Sequence, residues 1–571
     1  MEKRWEIVEP LDIVGQKIAE AISLEMKCPF FIAELLYRKG FTTLTEINEF
    51  FYPKLDMLHN PFLFSDMKKS VLRILKAIEQ EEKITIFGDY DVDGTTATAL
   101  LVLGLSELGA IIDYYIPHRL HDGYGLTLSG LETIKENGTS LIISVDCGIF
   151  AIDEVEVVRS MGMEIIITDH HIPKEKIPQA FAIMNPNTIS CSYPYKDLAG
   201  VGVAYKLLMA IYQEKSIYTE ANKTKYRDLV AVGTIADIVS LSGENRILAI
   251  FGLHYLRQST NKGLKALMNI SRIRKSDLDE NGIVYGLAPR INAAGRMGSA
   301  RRAVDLLISN DDKRCFDLVQ EIENENQLRQ QLDQKVFLEA EEIIKKKYNK
   351  LEDMQCIVIV SDNWLPGVIG IVASKIAEKY HRPTILISLN EGIGRGSGRS
   401  IASFDLYAAL FDSVDLMENF GGHKYAVGLT ILPEYIKELE DRLISYIKTH
   451  FEFLNTQPPL YIQTKIELYE INFEFMNWIN RFAPFGINNQ IPIFYTEKVR
   501  VDGYPFVVGK NHLKLKISKD GVTSDLIGFN FADYSTLLKT NSLLDIAYTL
   551  ELSNWKNKKT IQGILKDIKI I

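Results

Sequence analysis

Three carboxylates alternate in Gly88-Asp89-Tyr90-Asp91-Val92-Asp93-Gly94, after a short apolar run and before a helix-like stretch. Acids set this close repel one another unless a cation sits among them. Three more segments carry related groups. Ile143-Ser144-Val145-Asp146-Cys147-Gly148 places an Asp directly after an apolar run, and Ile165-Ile166-Ile167-Thr168-Asp169-His170-His171 runs into an acid and two imidazoles. Gly233-Thr234-Ile235-Ala236-Asp237-Ile238-Val239 sets an acid amid apolar neighbours, where burial is costly without a metal or a tight set of hydrogen bonds. Taken singly, each has a plainer reading as a solvated Asp-rich turn or a structural His pair. Taken together they point to a metal centre, in which an Asp beside a histidine can orient the ring. Carboxylates with one or two imidazoles suit one or two Mn²⁺ or Mg²⁺ ions rather than zinc. Such a site can acidify a water and stabilise charge on an attacked phosphorus.

The acids need a scaffold. Apolar runs of about five residues at 84–87, 111–116, 141–145 and 164–168, mostly separated by helical patterns, predict a parallel α/β sheet. Ligands of such sheets bind at the carboxyl ends of the strands, where these acids fall. The stretch 95–108 is apolar on all sides, as in a buried helix. Residues 311–350 hold no Gly or Pro and space Phe316, Val319, Ile322, Leu328, Leu332, Val336 and Ile343 mostly by three or four, which predicts one or two long connecting helices. A second α/β pattern runs from Cys356 to about His450, with strands at 357–360 and 384–388 and a helix at 370–379. From Tyr461, short alternating strands with frequent Gly suggest a small β-barrel. The expected fold class is therefore multidomain α/β. Its parts are an N-terminal helical region (1–80), a catalytic domain (81–240), a helical region with a long connector (241–350), a second α/β domain (351–452) and a barrel (455–571).

Composition sets the outer limits. The chain has 571 residues with 46% hydrophobic and 24% charged, which excludes a wholly disordered or collagen-like chain. The net charge of −9 is uneven: from 455 to 571 there are 14 Lys and Arg against 11 Asp and Glu, leaving −12 on the rest. Cys28, Cys147, Cys191, Cys315 and Cys356 form no CxxC pair, so a zinc cluster or disulfide framework is not expected. The first residues lack an apolar signal core, and the longest strongly apolar run, about 94–106, is shorter than the ~20 residues of a membrane span. The reading is a cytoplasmic protein.

Some segments suit a phosphate chain. Arg395, Ser397 and Arg399 alternate with glycines between 394 and 400, read as a turn whose backbone N–H groups and guanidiniums grip an anion. Arg290 and Arg296 either hold backbone phosphates or pair with acids. In the barrel, Lys514, Lys516, Lys519, Lys556, Lys558 and Lys559 interleave with Tyr504, Phe506, His512 and Trp555. Stacking with phosphate attraction is how such barrels hold single strands, although core aromatics and ordinary surface lysines give the same pattern.

The four acidic motifs, in this order, resemble the Asp-His-His (DHH) phosphoesterase superfamily. Pro289-Arg290-Ile291-Asn292-Ala293-Ala294-Gly295-Arg296-Met297-Gly298 is similar to a segment that follows the catalytic domain in its single-strand exonuclease branch. Gly396-Ser397-Gly398-Arg399-Ser400 and Gly421-Gly422-His423-Lys424-Tyr425-Ala426-Val427-Gly428 resemble the DHH-associated domain, with Val427 where an alanine is usual. Pro484-Phe485-Gly486 opens what resembles an oligonucleotide-binding (OB) barrel. The resemblance implies that Asp91, Asp93, Asp146, His170 and Asp237 are metal ligands, with Asp146 bridging two ions. It implies that His171 faces the substrate phosphate and that Asp169 supports the site from behind. Pyrophosphatase-type relatives carry a His where this chain has Phe87, and Asp89 can compensate directly or through water. In Pro117-His118-Arg119-Leu120-His121-Asp122-Gly123-Tyr124-Gly125, otherwise a plain solvated loop, Arg119 becomes a phosphate clamp near the 5′ end. Asn292 joins Arg290 and Arg296 as a strand contact, and His423 stands by the scissile phosphate.

The implied activity is metal-dependent 5′→3′ hydrolysis of single-stranded DNA to 5′ mononucleotides, in recombination and repair. Implied partners are single-stranded DNA, a single-strand-binding protein and a helicase, with no membrane. The rivals are a phosphodiesterase for short RNA or cyclic dinucleotides, an inorganic pyrophosphatase, and a non-catalytic strand-binding relative. The long connector and the barrel argue against small substrates, and Phe87 and the length argue against the pyrophosphatase. The intact acids argue against a decayed site.

Overall fold

The computed structural model describes the chain apart from residues 1–2, 120, 121, 124, 349–353, 452–456 and 556–557. It divides into two compact units. One holds residues 55–454 with 486–488, and the other holds 1–54, 455–485 and 489–571.

The larger unit contains the expected parallel sheet. Its strands Ile84–Gly88, Ile112–Tyr115, Leu141–Val145 and Glu164–Thr168 match the apolar runs, and a fifth short strand, Ala182–Met184, joins the edge. Their spatial order is 112–115, 84–88, 141–145, 164–168, 182–184, all parallel. Gly88 pairs with Val145, and Val145 pairs with Thr168. The next residues, Asp89, Asp146 and Asp169, therefore leave three neighbouring strands at the same level. The helix Val92–Ser106 is buried on nearly every side, as its uniform apolarity predicts.

The second sheet of this unit runs Met417–His423, Ala426–Ile431, Ile393–Arg399, Thr384–Asn390, Ile357–Ser361, and only the last pair is parallel. The glycine-rich segment is thus the central strand of this sheet, not a turn, which corrects the reading from sequence. Its backbone is committed to pairing with both neighbours. The glycines serve packing instead: a Cβ at Gly396 would lie 2.7 Å from Leu429, and one at Gly398 would lie 2.5 Å from Val427. With period two, Arg395, Ser397 and Arg399 stand on the opposite face.

One helix, Asp312–Lys347, spans the connector. Its first half buries Cys315, Leu318, Val319 and Ile322 in the core of the first sheet's helices, and its second buries Val336, Ala340 and Ile344 under the second sheet. Phe316 and Leu328, expected in the apolar stripe, are exposed, because the buried face follows 315, 318, 319 and 322.

In the smaller unit, strands Phe494–Val508, His512–Lys519, Val522–Gly528, Lys558–Ile570 and Leu543–Trp555 pair in that order, and the last returns to pair with the first. This ring closes a five-stranded barrel. The helices Ile13–Met26, Phe30–Arg38 and Leu44–Phe51 share its core: Ile32, Leu36 and Ile47 lie in one cluster with Phe475, Phe494 and Ile517. Residues 1–54 therefore belong with the barrel, and 55–80 with the catalytic sheet, rather than forming one N-terminal region.

Candidate metal centre and strand-binding face

The acids meet because of how the chain leaves its strands. Asp91 caps the helix Val92–Ser106, its Oδ1 accepting a hydrogen bond from Gly94 N at 3.0 Å. Asp93, one residue inside that helix, is buried, and its carboxylate accepts Gly200 N at 2.6 Å and Val201 N at 2.8 Å. These two N–H groups open the helix Gly200–Glu214, so a helix N-terminus holds the acid in place. Asp146 adopts a left-handed φ of 59°, which turns the chain sharply at the strand end. Asp237 closes the helix Arg227–Ala236, its N–H donating to Gly233 O.

His170 joins these elements. Its Nε2 lies 3.1 Å from Asp146 Oδ1, 3.6 Å from Asp237 Oδ2 and 4.0 Å from Asp93 Oδ2. Donor atoms fall into three groups within 4.8 Å: Asp93, His170 and Asp237; Asp146, His170 and His171; and Asp89, Asp91 and Asp146. Asp146 belongs to two of them. Phe87 is buried among apolar side chains beside Tyr115 and offers no donor, whereas Asp89 brings its carboxylate to the third group. Asp169 is a hub behind the cluster. It accepts the backbone N–H groups of Ile149, His170 and His171, and its Oδ1 lies 2.7 Å from His171 Nδ1.

These residues fit a divalent cation. Asp89 Oδ1, His170 Nε2 and Asp237 Oδ2 are buried with no hydrogen-bond partner among the described residues, which is costly unless a ligand satisfies them. Burial, then the charges of Asp93, Asp91, Asp237 and Asp89, holds Asp146 well above the usual carboxylate range. Burial and Asp91 push Asp93 up to about 7, and burial with neighbouring acids raises Asp89 and Asp237. Burial lowers His170 to about 4, so its ring is neutral and ready to ligate. At His171, burial is outweighed by the hydrogen bond to and charge of Asp169, and its value rises. Small residues guard the space: a Cβ at Gly200 would lie 2.7 Å from Asp146 Oδ1, and one at Gly233 would lie 3.0 Å from Asp93 Oδ1.

A cavity of about 510 Å³ adjoins the cluster. Tyr90, Arg119 and Asp122 line one wall, and Arg395, Asn419, Gly421, Gly428 and Thr430 of the second sheet line the other. Arg119 stacks over the Tyr90 ring at 4.9 Å. Arg399 Nη1 donates to Ser397 Oγ at 3.0 Å, which sets the head group beside the hydroxyl. Pairing places Ser397, Gly428 and Gly421 in one row, with Arg399, Ala426 and His423 in the next. A Cβ at Gly421 or Gly428 would meet nothing within 4 Å, so this row is an open floor. Burial and then the Arg399 and His171 charges lower His423. Burial and then Arg119, Arg329 and Arg399 lower Arg296 to about 10, a sign of crowded cations. Arg296 donates to Gly367 O.

Other candidates fall elsewhere. Arg290 donates to Glu323 at 2.6 Å and to Gly286 O at 2.8 Å, which favours the acid-pairing alternative for it. Asn292 is half-buried in the helix Ala288–Met297. On the barrel, Tyr504 and Phe506 are exposed on the long strand Phe494–Val508, and Phe506 pairs with Lys514 on the next strand. Leu120, His121, Tyr124 and Lys556, and the side chains of Trp555 and Lys558, lie outside the described residues. Sequence reasoning missed Tyr90, Asn419 and the Gly421–Gly428 floor. The spacing of two between Gly421 and His423, and between Ala426 and Gly428, carried a strand signal that the glycines masked.

Known proteins resemble this chain. Residues 83–234 match the DHH family N-terminal domain, 353–449 the DHHA1 domain, and 462–567 the RecJ OB domain. The single-stranded-DNA-specific exonuclease RecJ of Bacillus subtilis is 36% identical over 570 residues, covering 99% of this chain and 71% of that protein. The enzyme of the same description from Haemophilus influenzae is 33% identical, covering 90% and 92%. The crystal structure of Thermus thermophilus RecJ with Mn²⁺ superimposes with a TM-score of 0.82 at 26% identity, covering 99% of this chain and 79% of that one. The same protein with Mg²⁺ gives 0.78 at 25%, covering 99% and 78%.

Proposed function

Because this chain belongs to the RecJ family of the DHH phosphoesterases, we propose that it hydrolyses single-stranded DNA from the 5′ end and releases 5′ mononucleotides. The observation that carries this reading is the buried cluster of Asp93, Asp146, His170 and Asp237 opening beside a cationic cavity. Asp91, Asp93, Asp146, His170 and Asp237, with Asp89, are the residues that would hold Mn²⁺ or Mg²⁺. Such ions supply an acidified, positioned water and stabilise charge on the phosphorus and on the leaving oxygen.

The protein's own groups do the rest. Asp169 fixes the His171 ring through Nδ1, so Nε2 is the ring atom that donates to a non-bridging oxygen of the scissile phosphate. Arg119, with Ser397 and Arg399 of the second sheet, holds the terminal phosphate through charge-assisted donors. His423 lies near Arg399 and His171, where it meets the scissile linkage. Arg395, Arg296 and Asn292 contact backbone phosphates further along the strand. Water adds across the P–O3′ bond, so the freed nucleotide ends in a 3′ hydroxyl and the shortened strand keeps a 5′ phosphate. The barrel, through Tyr504, Phe506, His512 and the lysines 514, 516, 519 and 559, grips the strand beyond.

Among the described residues no helix is long and apolar enough to cross a membrane. The reading places the enzyme in the cytoplasm, in recombination and repair, on strands supplied by a helicase and covered by a single-strand-binding protein. End-labelled single-stranded DNA, incubated with and without Mn²⁺, tests it. Metal-dependent release of mononucleotides from the 5′ end is expected, and release from the 3′ end alone would refute the polarity.

A further inference from the structure

We propose that Phe150, flanked by Ile172 and Lys174, is a stacking platform for the nucleobase on the 3′ side of the scissile phosphate, a reading that rests on the exonuclease activity above.

The turn after the strand Leu141–Val145 is built to present this residue. Asp146 points into the cluster, Gly148 takes a φ of 111°, and a Cβ there would lie 2.8 Å from Ser144 Oγ. Ser144 Oγ donates to Cys147 O at 2.9 Å, and Ala151 N donates to Gly148 O at 3.0 Å. Ile149 N donates to Asp169 Oδ2 at 2.9 Å. The tip of this braced turn is Phe150, which is 41% exposed although every residue from 141 to 149 is buried.

The carboxylate that anchors the turn also anchors His171. Asp169 therefore fixes both the ring expected to face the phosphate and the aromatic beside it, and their centroids lie 6.2 Å apart. Ile172, the residue after His171, is 78% exposed, and Lys174 Nζ stands 5.7 Å from the Phe150 ring centroid. An exposed aromatic, an exposed aliphatic and a cation beside a phosphate-facing histidine are what a stacked base and its neighbouring phosphate require.

Strand order gives the side. Arg119 follows the strand Ile112–Tyr115, Asp89, Asp91 and Asp93 follow the next, Asp146 and Phe150 follow Leu141–Val145, and Asp169, Ile172 and Lys174 follow Glu164–Thr168. Ile172 and Lys174 thus lie across Asp89 and Asp146 from Arg119, and Phe150, which shares its strand with Asp146, stands with them through its approach to His171 and Lys174. With the terminal phosphate at Arg119 and the scissile one over the acids, the second nucleotide reaches Phe150. Lys174 is then placed for the phosphate beyond it.

The test uses the full chain, as wild type, Phe150→Ala and Phe150→Trp. Substrates are 5′-phosphorylated oligonucleotides that are intact or carry one abasic residue at the first, second or third position. Two quantities are read: kcat/KM for nucleotide release with Mn²⁺, and anisotropy-measured affinity in EDTA. Removing the second base should weaken the wild type by roughly fivefold to a hundredfold, the range for one stacked base. Phe150→Ala should lose as much on the intact strand, become indifferent to the second base, and keep its response to the other two. Phe150→Trp should restore the pattern. If the losses from Phe150→Ala and the missing second base multiplied, or if indifference appeared at the first or third position, the platform would be refuted. Absence of nucleotide release by the wild type on intact DNA would sink the exonuclease reading, while the affinities in EDTA would still decide the platform.

Discussion

His170 brings its Nε2 to 3.1 Å from Asp146 Oδ1 across the ends of two parallel strands. Burial favours the neutral form of each, lowering the imidazole and, with the neighbouring acids, raising the carboxyl. Such a pair has little reason to meet in an apolar interior except to share an electropositive guest. The first two predictions follow from this contact.

Asp146→Ala should reduce hydrolysis by about a hundredfold or more, since it removes a carboxylate that belongs to two of the three groups of ligands. Binding of an oligonucleotide should survive. Rates on end-labelled DNA at saturating Mn²⁺, beside anisotropy titrations, check both. A variant that kept most of its rate would show that Asp146 bridges nothing.

Chelation should stop the reaction, and Mn²⁺ or Mg²⁺ should restore it. Stability should report the same linkage. Asp93 rises from 3.8 to about 7 in the fold, so its contribution is fully present below about 3.8 and is lost as pH climbs through about 7. Metal binding needs the ionised acids and releases their protons. The gain in Tm on adding Mn²⁺ to EDTA-treated protein should therefore grow as pH rises through about 7. A gain that stayed flat would count against binding by these acids.

Arg399→Ala should lower kcat/KM on 5′-phosphorylated strands by roughly tenfold to more than a hundredfold, the consequence of losing a charge-assisted contact worth about 1.5–3 kcal/mol. Preference over 5′-hydroxyl strands should fall in the same step, and the products should remain mononucleotides. Equal losses on both kinds of end would make the residue a general backbone contact.

Two glycine substitutions should separate packing from function. In Gly398→Ala the new methyl meets Val427 at 2.5 Å and Leu406 at 2.9 Å, so stability should fall by about 1–3 kcal/mol. In Gly428→Ala the methyl enters open space on the cavity floor, so Tm should hold while KM for DNA rises. Denaturant melts and steady-state rates on the two variants give the answer. The reverse assignment would mean that the faces of this sheet have been exchanged.

Tyr504→Ala with Phe506→Ala and Lys516→Ala should weaken binding of long strands more than it slows turnover of bound strand, and should flatten the dependence of affinity on salt. Surface substitutions suit this test better than deletion of 455–571, which would uncover Ile32, Leu36 and Ile47. Unchanged affinity for a long oligonucleotide in the folded triple variant would place the strand grip elsewhere.

The catalytic sheet was legible because its strands are buried on both faces and read as short apolar runs such as 141–145 and 164–168. The cluster was legible because strand ends expose acids in sequence-local motifs. Asp237 arrives from a helix end, yet its apolar neighbours still marked it. The strand Ile393–Arg399 was hidden, since after Ile393 it alternates glycine with polar residues and has none of the β-branched side chains that mark a strand. The partnership of residues 1–54 with the barrel was also out of reach. Amphipathic helices such as Leu44–Phe51 show that a face is buried, but not against what.

That partnership bears on how the protein is made. The ribosome delivers the helices of residues 13–51 before the barrel that covers them, with the roughly 400 residues of the larger unit between. At ~5–20 residues per second, the nascent helices wait on the order of tens of seconds with their apolar faces unmatched. The larger unit can complete itself in that interval. Residues 13–51 and the barrel then close on each other after the larger unit has formed, so these helices depend on chaperone protection throughout that interval.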